Sequence, residues 1–402
     1  MFQRIIGFIF RRRHYWRNVS FDEVAELYAS RLLTMLALNA VNLFTSLYLY
    51  QLGYSIVFIM LMNAALLGFK IAIAPIVASY VAYFGPKHGV LVANLLRIPS
   101  MAAIFLVPEY GVWAIVIYGV FQQAAAGMYG VSYLVDFSKV RHAKHTGKEL
   151  GTMQLVEKAA RVVSPLAGGL VASFWGPSAV IFVSAILFAL AALPLFRTVE
   201  PTTLKTRVRV TGFPWKLAKT SLFTEVQIGF DLVTSTTAWA LFAAIAVFAA
   251  FGNGMYAAFG VLASFGVLVS MLASWLFGKL TDKRHGDFLF TAGVVSNAVT
   301  HALRPFVTVP LAVLGVNMAN ETATSAYALP WTRAVFNIAD TSGFRIAYMA
   351  MLQAASDIGS LIACLALAGL VWFFGAMPGM QLFFICSAFL GLIILAGRRY
   401  TR

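Results

Sequence analysis

Six basic side chains sit inside stretches that are otherwise almost wholly apolar: Arg31, Lys70, Arg97, Lys158, Arg161 and Arg304. Lys70 lies near the middle of "AALLGFKIAIAPIV", residues 64–77. Four acids share such surroundings: Glu157, Asp231, Glu321 and Asp357. A lysine at the centre of a membrane helix costs about 2.5–3.5 kcal/mol, so each of these groups needs a partner or access to water. The chemistry open to them is ion pairing, proton exchange and capture of a charged solute. Their spacing gathers them onto helix faces. Asn317, Asn320, Glu321 and Thr324 recur at i, i+3, i+4 and i+7, as do Gln154, Glu157, Lys158 and Arg161. Smaller polar faces hold Asn39, Asn42 and Ser46; Tyr118, Gln122, Tyr129 and Tyr133; Asp231, Thr234 and Ser235; and Gln353, Asp357 and Ser360. Glu157 and Arg161, one turn apart, are spaced to pair within their own helix.

The elements that position these residues must cross a membrane. The chain has 402 residues, of which 60% are hydrophobic and 11% charged, and its mean hydropathy is +0.82. A soluble domain carries about 25% charged residues. Twelve apolar runs follow one another at 27–50, 54–83, 88–107, 110–134, 150–173, 176–196, 221–250, 254–278, 287–307, 310–332, 346–374 and 378–397. A spanning helix needs about 20 apolar residues, whereas a barrel strand needs about 10 with alternating polarity. The expected class is therefore an all-α polytopic membrane protein.

The net charge of +15 does not indicate a nucleic-acid partner, because 24 of the 30 Lys and Arg residues lie in the termini and in every second loop. The intervening loops, such as "QLGY", "FWGPS" and "FGNG", have none. Such alternation places both termini and the basic loops in the cytoplasm. Residues 1–20, basic and aromatic, suit a segment lying on the cytoplasmic leaflet rather than a cleaved leader. Cys364 and Cys386 fall inside spans and read as apolar fillers. There is no zinc spacing, no disulfide framework and no phosphate-binding G-x-x-x-x-G-K-[ST] loop, so no cofactor or metal is expected. Energy for any transport must come from an ion or solute gradient. A membrane enzyme would need a catalytic cluster at one face, and "RHAKHTGKE" (141–149), with His142 and His145, is the one candidate.

The long basic segment 197–220 divides the spans into 21–196 and 221–402. The two parts repeat weakly. "FDEV" (21–24) matches "FTEV" (223–226), "KHG" (87–89) matches "RHG" (284–286), and "YLVDFSK" (133–139) matches "YALPWTR" (327–333). "MQLVEKAARVVS" from Met153 aligns with "MAMLQAASDIGS" from Met349. Parallel repeats about an axis along the membrane normal are a transporter signature, with the site near midplane between them.

With six plus six spans and a long basic linker, the chain resembles the major facilitator superfamily over essentially its whole length. Two motifs carry the likeness. "GKLTDKRHG" (278–286) is similar to the family's G-x-x-x-D-R/K-x-G-R/K-R/K, matching Gly278, Asp282 and Lys283, with Arg284 following. Its first-half counterpart "ASYVAYFGPK" keeps only Gly85 and Lys87, with Ala82 in place of the acid. "AARVVSPLAGG" (159–169) resembles G-x-x-x-G-P-x-x-G-G, with Ala160 and Ser164 replacing glycines. The resemblance implies a gating latch at the first motif and close helix approach at the second.

It also implies that spans 1, 4, 7 and 10 line a central cavity, which places Asn39, Asn42, Gln122, Asp231, Asn317, Asn320 and Glu321 there. Spans 3 and 9 would lie outside it. Arg304 could then reach the outer interface by extending its side chain, while Arg97 has no evident role. Span 2 would contact span 11 across the interface between halves, bringing Lys70 and Asp357 to similar depth as a pair. The implied function is secondary transport of a small organic solute by alternating access across the cytoplasmic membrane, by a monomer embedded in lipid. Proton coupling is expected, with Glu321 as first candidate and Glu157, Asp231 and Asp357 as others. Lys70 and Arg161 facing the acids of the second half favour an anionic or zwitterionic solute. A proton-driven efflux antiporter is the alternative within the class, and a lipid-modifying enzyme the alternative outside it.

Overall fold

Glycine and proline punctuate the apolar runs and decide where each helix ends. At "FGPK" and "WGPS", Gly85 and Gly176 adopt φ of +94° and +83°, and the next residue is a proline that opens a new helix. Gly375, at φ +85°, makes the equivalent stop before Ala376. A side chain at these positions would be strained, and proline at the first helical position loses no hydrogen bond. Ser55 caps its helix by accepting a hydrogen bond from the Phe58 amide at 3.1 Å.

The computed structural model describes residues 21–140, 146–196, 211–251, 254–282 and 286–401, nearly all helical. In chain order the long helices are α1 (Phe21–Gln51), α2 (Ile56–Phe84), α3 (Pro86–Phe105), α4 (Val112–Val140), α5 (Thr146–Trp175) and α6 (Pro177–Ala192). Then α7 starts as Trp215–Val233, widens into a π-helical turn at Thr234–Ala238 and resumes as Trp239–Ala246. It is followed by α8 (Gly254–Asp282), α9 (Gly286–Leu303), α10 (Pro310–Ser342), α11 (Arg345–Phe374) and α12 (Ala376–Gly391). Among the described residues, nine helices are long and apolar enough to cross a membrane. Those that fall short are α5, α9 and α10, whose polar faces lower their hydropathy.

The packing repeats. Helix α1 packs on α5 and α6, α2 on α4, and α3 on α4 and α6. Adding six to each number gives the second set: α7 on α11 and α12, α8 on α10, and α9 on α10 and α12. The two sets meet chiefly through α2 on α11 and α5 on α8, which exchange under the same rule. Each helix of the first set therefore has a counterpart in the second with matching neighbours.

Close approach rests on small residues. A Cβ on Gly169 of α5 would lie 2.6 Å from the Tyr256 carbonyl oxygen of α8, and Gly260 of α8 abuts the Pro165 carbonyl. The "SPLAGG" segment thus sits directly against α8. Gly229 of α7 and Gly359 of α11 meet each other's helix backbone in the same way, and the Ser360 hydroxyl donates to the Gly229 carbonyl at 2.8 Å.

Candidate functional site

The interface between the two helix sets carries charge. Lys70 Nζ of α2 lies 2.8 Å from Asp357 Oδ1 of α11, both nearly buried. The Gln353 amide, one turn before Asp357, donates to the same oxygen at 3.2 Å. An ammonium and a carboxylate brought together here satisfy one another, which answers the cost of placing Lys70 in an apolar run. On the other side of the interface, Lys158 of α5 donates to the Ser270 carbonyl of α8 and the Ser325 hydroxyl of α10, each at 3.3 Å, and to the Ser274 hydroxyl. It is also close enough to Glu321 to interact with it electrostatically. Glu321 is half-buried and has no hydrogen bond to a described side chain. Near the end of α1, Gln51 accepts a hydrogen bond from the Tyr256 hydroxyl of α8.

Within the first set, Glu157 does not pair with Arg161. Its Oε1 accepts from Arg31 Nη2 at 2.7 Å, Arg31 Nε at 3.0 Å and the Tyr133 hydroxyl at 2.8 Å. The reason is rotation: Glu157 points toward α1 and α4, whereas Lys158, one residue on, faces α8. Arg161 is left exposed. Arg97 is buried, with Nη1 donating to Asn94 Oδ1 at 3.0 Å and its guanidinium over the Tyr129 and Phe188 rings. Asn94 in turn binds Thr34 and Ser30 of α1. Gln122 also turns toward α3, where the Ser100 hydroxyl donates to it at 3.4 Å. Asn39 donates back to the Met35 carbonyl of its own helix at 2.7 Å. Asn42 lies in α1, but its side chain is outside the described residues.

The second set is built around Asp231 of α7. Its Oδ1 accepts from Asn297 Nδ2 at 2.6 Å and lies 2.5 Å from His301 Nε2, while its Oδ2 accepts from the Tyr327 hydroxyl at 2.8 Å. Arg304 Nη1 lies 2.9 Å from His301 Nδ1. A guanidinium can only donate, so Nδ1 is the accepting nitrogen and the proton sits on Nε2, aimed at Asp231. Arg304 does not reach out toward a membrane surface. It is fully buried, donating also to the Thr234 carbonyl and to Asn320 Oδ1, both at 2.9 Å, with its guanidinium over Trp239. The π-helical turn explains part of this, since a widened turn releases backbone carbonyls from the helical ladder. Ser235 also donates to Asn320 Oδ1, and the Trp239 indole donates to Asn317 Oδ1 at 2.6 Å. Glu225, in the "FTEV" repeat match, accepts from the Trp331 indole at 2.8 Å. Gly278 and Asp282 end α8, where only the backbone is described, and Lys283 and Arg284 lie outside the described residues.

Paired helical repeats meeting at two equivalent interfaces, with charges at the seam, define a membrane transporter. The family model described as Major Facilitator Superfamily matches residues 27–316. The chain belongs to that superfamily, and it is a multi-pass membrane transporter rather than an enzyme. Solved structures agree on the fold. The human organic anion transporter MFSD10 (TETRAN) is similar at 11% identity and TM-score 0.70, over 94% of this chain and 100% of that one. A mutant of the peptide transporter POT gives 11% and 0.69, covering 94% of each chain. The fucose:proton symporter FucP of E. coli gives 13% and 0.64, over 94% of this chain and 98% of that one. No curated protein matches the sequence.

Proposed function

We propose that this protein is a secondary active transporter that moves a small organic solute by alternating access. In this reading α1–α12 all cross the cytoplasmic membrane, both termini are cytoplasmic, and 21–196 and 221–402 rock against each other about the linker 197–220. The observation that carries it is the Lys70–Asp357 pair, joining α2 to α11 at 2.8 Å. Relative movement of the two sets must break or re-form this pair. Its energy is thereby tied to the change of access. A pair of this kind serves a two-state device better than apolar packing, because either partner can be captured by another charge.

Proton coupling belongs to the same reading. Glu321, half-buried and opposite Lys158, is the acid best placed to exchange a proton as access changes. The polar side chains of the interior, Asn39, Asn42, Gln122, Asn317 and Asn320, shape the path, and Gly278, Asp282, Lys283 and Arg284 form the cytoplasmic latch. The test is solute counterflow in proteoliposomes, screened with labelled organic solutes. Exchange should occur in the wild type, fall strongly in Lys70→Ala, and respond to an imposed pH gradient in a manner abolished by Glu321→Gln. Flux that ignores both substitutions and the gradient would remove the pair and the proton from the mechanism.

A further inference from the structure

The interior charges sort by partner, and the remainder is informative. Arg31 is held by Glu157, Lys70 by Asp357, and Arg304 is joined to Asp231 through His301. Arg97 is fully buried among Asn94 and aromatic rings, and Glu225 binds the Trp331 indole. That leaves Lys158, Arg161 and Glu321. Among the described residues Lys158 is bonded to hydroxyl and carbonyl oxygens only. Arg161 makes no hydrogen bond or ion pair with a described residue and is exposed.

Position shows where Arg161 points. Lys158, Arg161 and Pro165 follow at i, i+3 and i+7, so they share a face of α5. Both flanking residues touch α8: Lys158 at Ser270 and Ser274, Pro165 at Gly260. Arg161 lies between these two contacts yet stays exposed, which requires open space between α5 and the second helix set at that level. Gly266 of α8, lacking a side chain, lies there against Asn317 of α10. Glu321 follows Asn317 by one turn and precedes Ser325, which holds Lys158, by another.

We propose that Lys158 and Arg161, facing Glu321 and Ser325 across the gap between α5 and α10, form the binding site for a small organic carboxylate. This rests on the transporter reading above and gives it a substrate class. Two cations and one acid leave a single positive charge, which a monoanion neutralises and a dianion exceeds. A guanidinium offers two parallel donors to a carboxylate. The serine hydroxyls that now hold Lys158 are neutral, so a carboxylate can displace them without separating an ion pair. Removing the negative charge of Glu321 ends its competition for Lys158, so its neutral replacement should favour the anion.

The test uses three probes of one shape: benzoate, benzamide and benzylamine. Benzoate should raise the melting midpoint of the purified protein in a saturable manner, while benzamide and benzylamine leave it unchanged. Lys158→Gln and Arg161→Gln should each weaken benzoate at least tenfold, and Glu321→Gln should tighten it several-fold. Arg161 is exposed, so Arg161→Gln should melt like the wild type without ligand and decides the matter if Lys158→Gln does not fold. No benzoate shift, an equal shift in Arg161→Gln, or a benzylamine shift lost in Glu321→Gln would overturn the assignment. Labelled-benzoate counterflow separates the two ideas. Binding without flux supports the site and sinks transport, whereas flux of neutral or cationic solutes without benzoate binding does the reverse.

Discussion

The first and second helix sets use the same positions for their buried polar groups and fill them differently. In the first, Asn94 of α3 reaches Ser30 and Thr34 of α1; in the second, Asn297 of α9 reaches Asp231 of α7. Tyr133 of α4 and Tyr327 of α10 each donate a hydroxyl to a carboxylate. The carboxylate, however, sits on α5 as Glu157 in the first set and on α7 as Asp231 in the second. Asp231 and Arg304, linked by His301, make the second set self-compensating at its centre. Glu157 satisfies Arg31 but, among the described residues, leaves Arg97, Lys158 and Arg161 without an acid of their own set. The repeat supplies a common frame of polar positions, and the placement of the carboxylate leaves the α7–α9 centre of the second set self-compensated while the first set keeps an excess of cations.

Breaking the Asp231 cluster should cost most. Asp231→Ala removes the acceptor of three hydrogen bonds and strands Arg304 in a fully buried site. Loss of one partner from such a network costs about 3–5 kcal/mol. The melting midpoint should fall further than in Glu157→Ala, because the Glu157 side chain retains 23% exposure and Arg31 keeps its place over the Tyr133 ring. Equal losses in the two variants would show that the sets are balanced alike and dissolve the contrast.

The seam comes next. Lys70→Ala and Asp357→Ala should each destabilise by about 2–4 kcal/mol, since each leaves the other charge poorly compensated. The double variant should recover about 1–3 kcal/mol relative to the sum, as expected for groups in direct contact. Strictly additive losses would mean that the two side chains do not depend on one another. A third comparison concerns the helix seam at Gly169. Gly169→Ala places a methyl 2.6 Å from the Tyr256 carbonyl, and overpacking of this kind costs about 1–3 kcal/mol. The same change at Gly315, where nothing lies near the added carbon, should leave the melting midpoint unchanged or raise it.

Which of these features the sequence disclosed follows from the range of each interaction. Apolar runs and basic loops are local, so the helical class and the weak twofold repeat are legible in the chain itself. Lys70 and Asp357 could be matched because each is a lone charge at a definable depth in its run. The partner of Glu157 is illegible in the sequence for the opposite reason. Helical spacing compares residues on one helix, where Arg161 is the cation one turn ahead, whereas Arg31 is 126 residues away in sequence. The sequence leaves Arg304 free to extend toward the outer interface, because nothing in "TSTTAW" announces a π-helical turn that presents the Thr234 carbonyl to it.

The smallest effect is also the sharpest on the first set. Among the described residues Arg97 makes one hydrogen bond, at 3.0 Å to Asn94, and its Nε, like that of Arg304, has no partner. Its guanidinium shares the Tyr129 ring with that of Arg31, at 4.7 and 5.0 Å. Replacing a poorly compensated buried charge by an apolar side chain of similar length is often neutral or stabilising. Arg97→Met should therefore melt within about 1 kcal/mol of the wild type, or above it. Arg304→Met, which gives up bonds to Thr234, Asn320 and His301, should lose about 3 kcal/mol. If Arg97→Met proves as damaging as Arg304→Met, then Arg97 is compensated after all, and the first set does not keep the excess of cations that this arginine suggests.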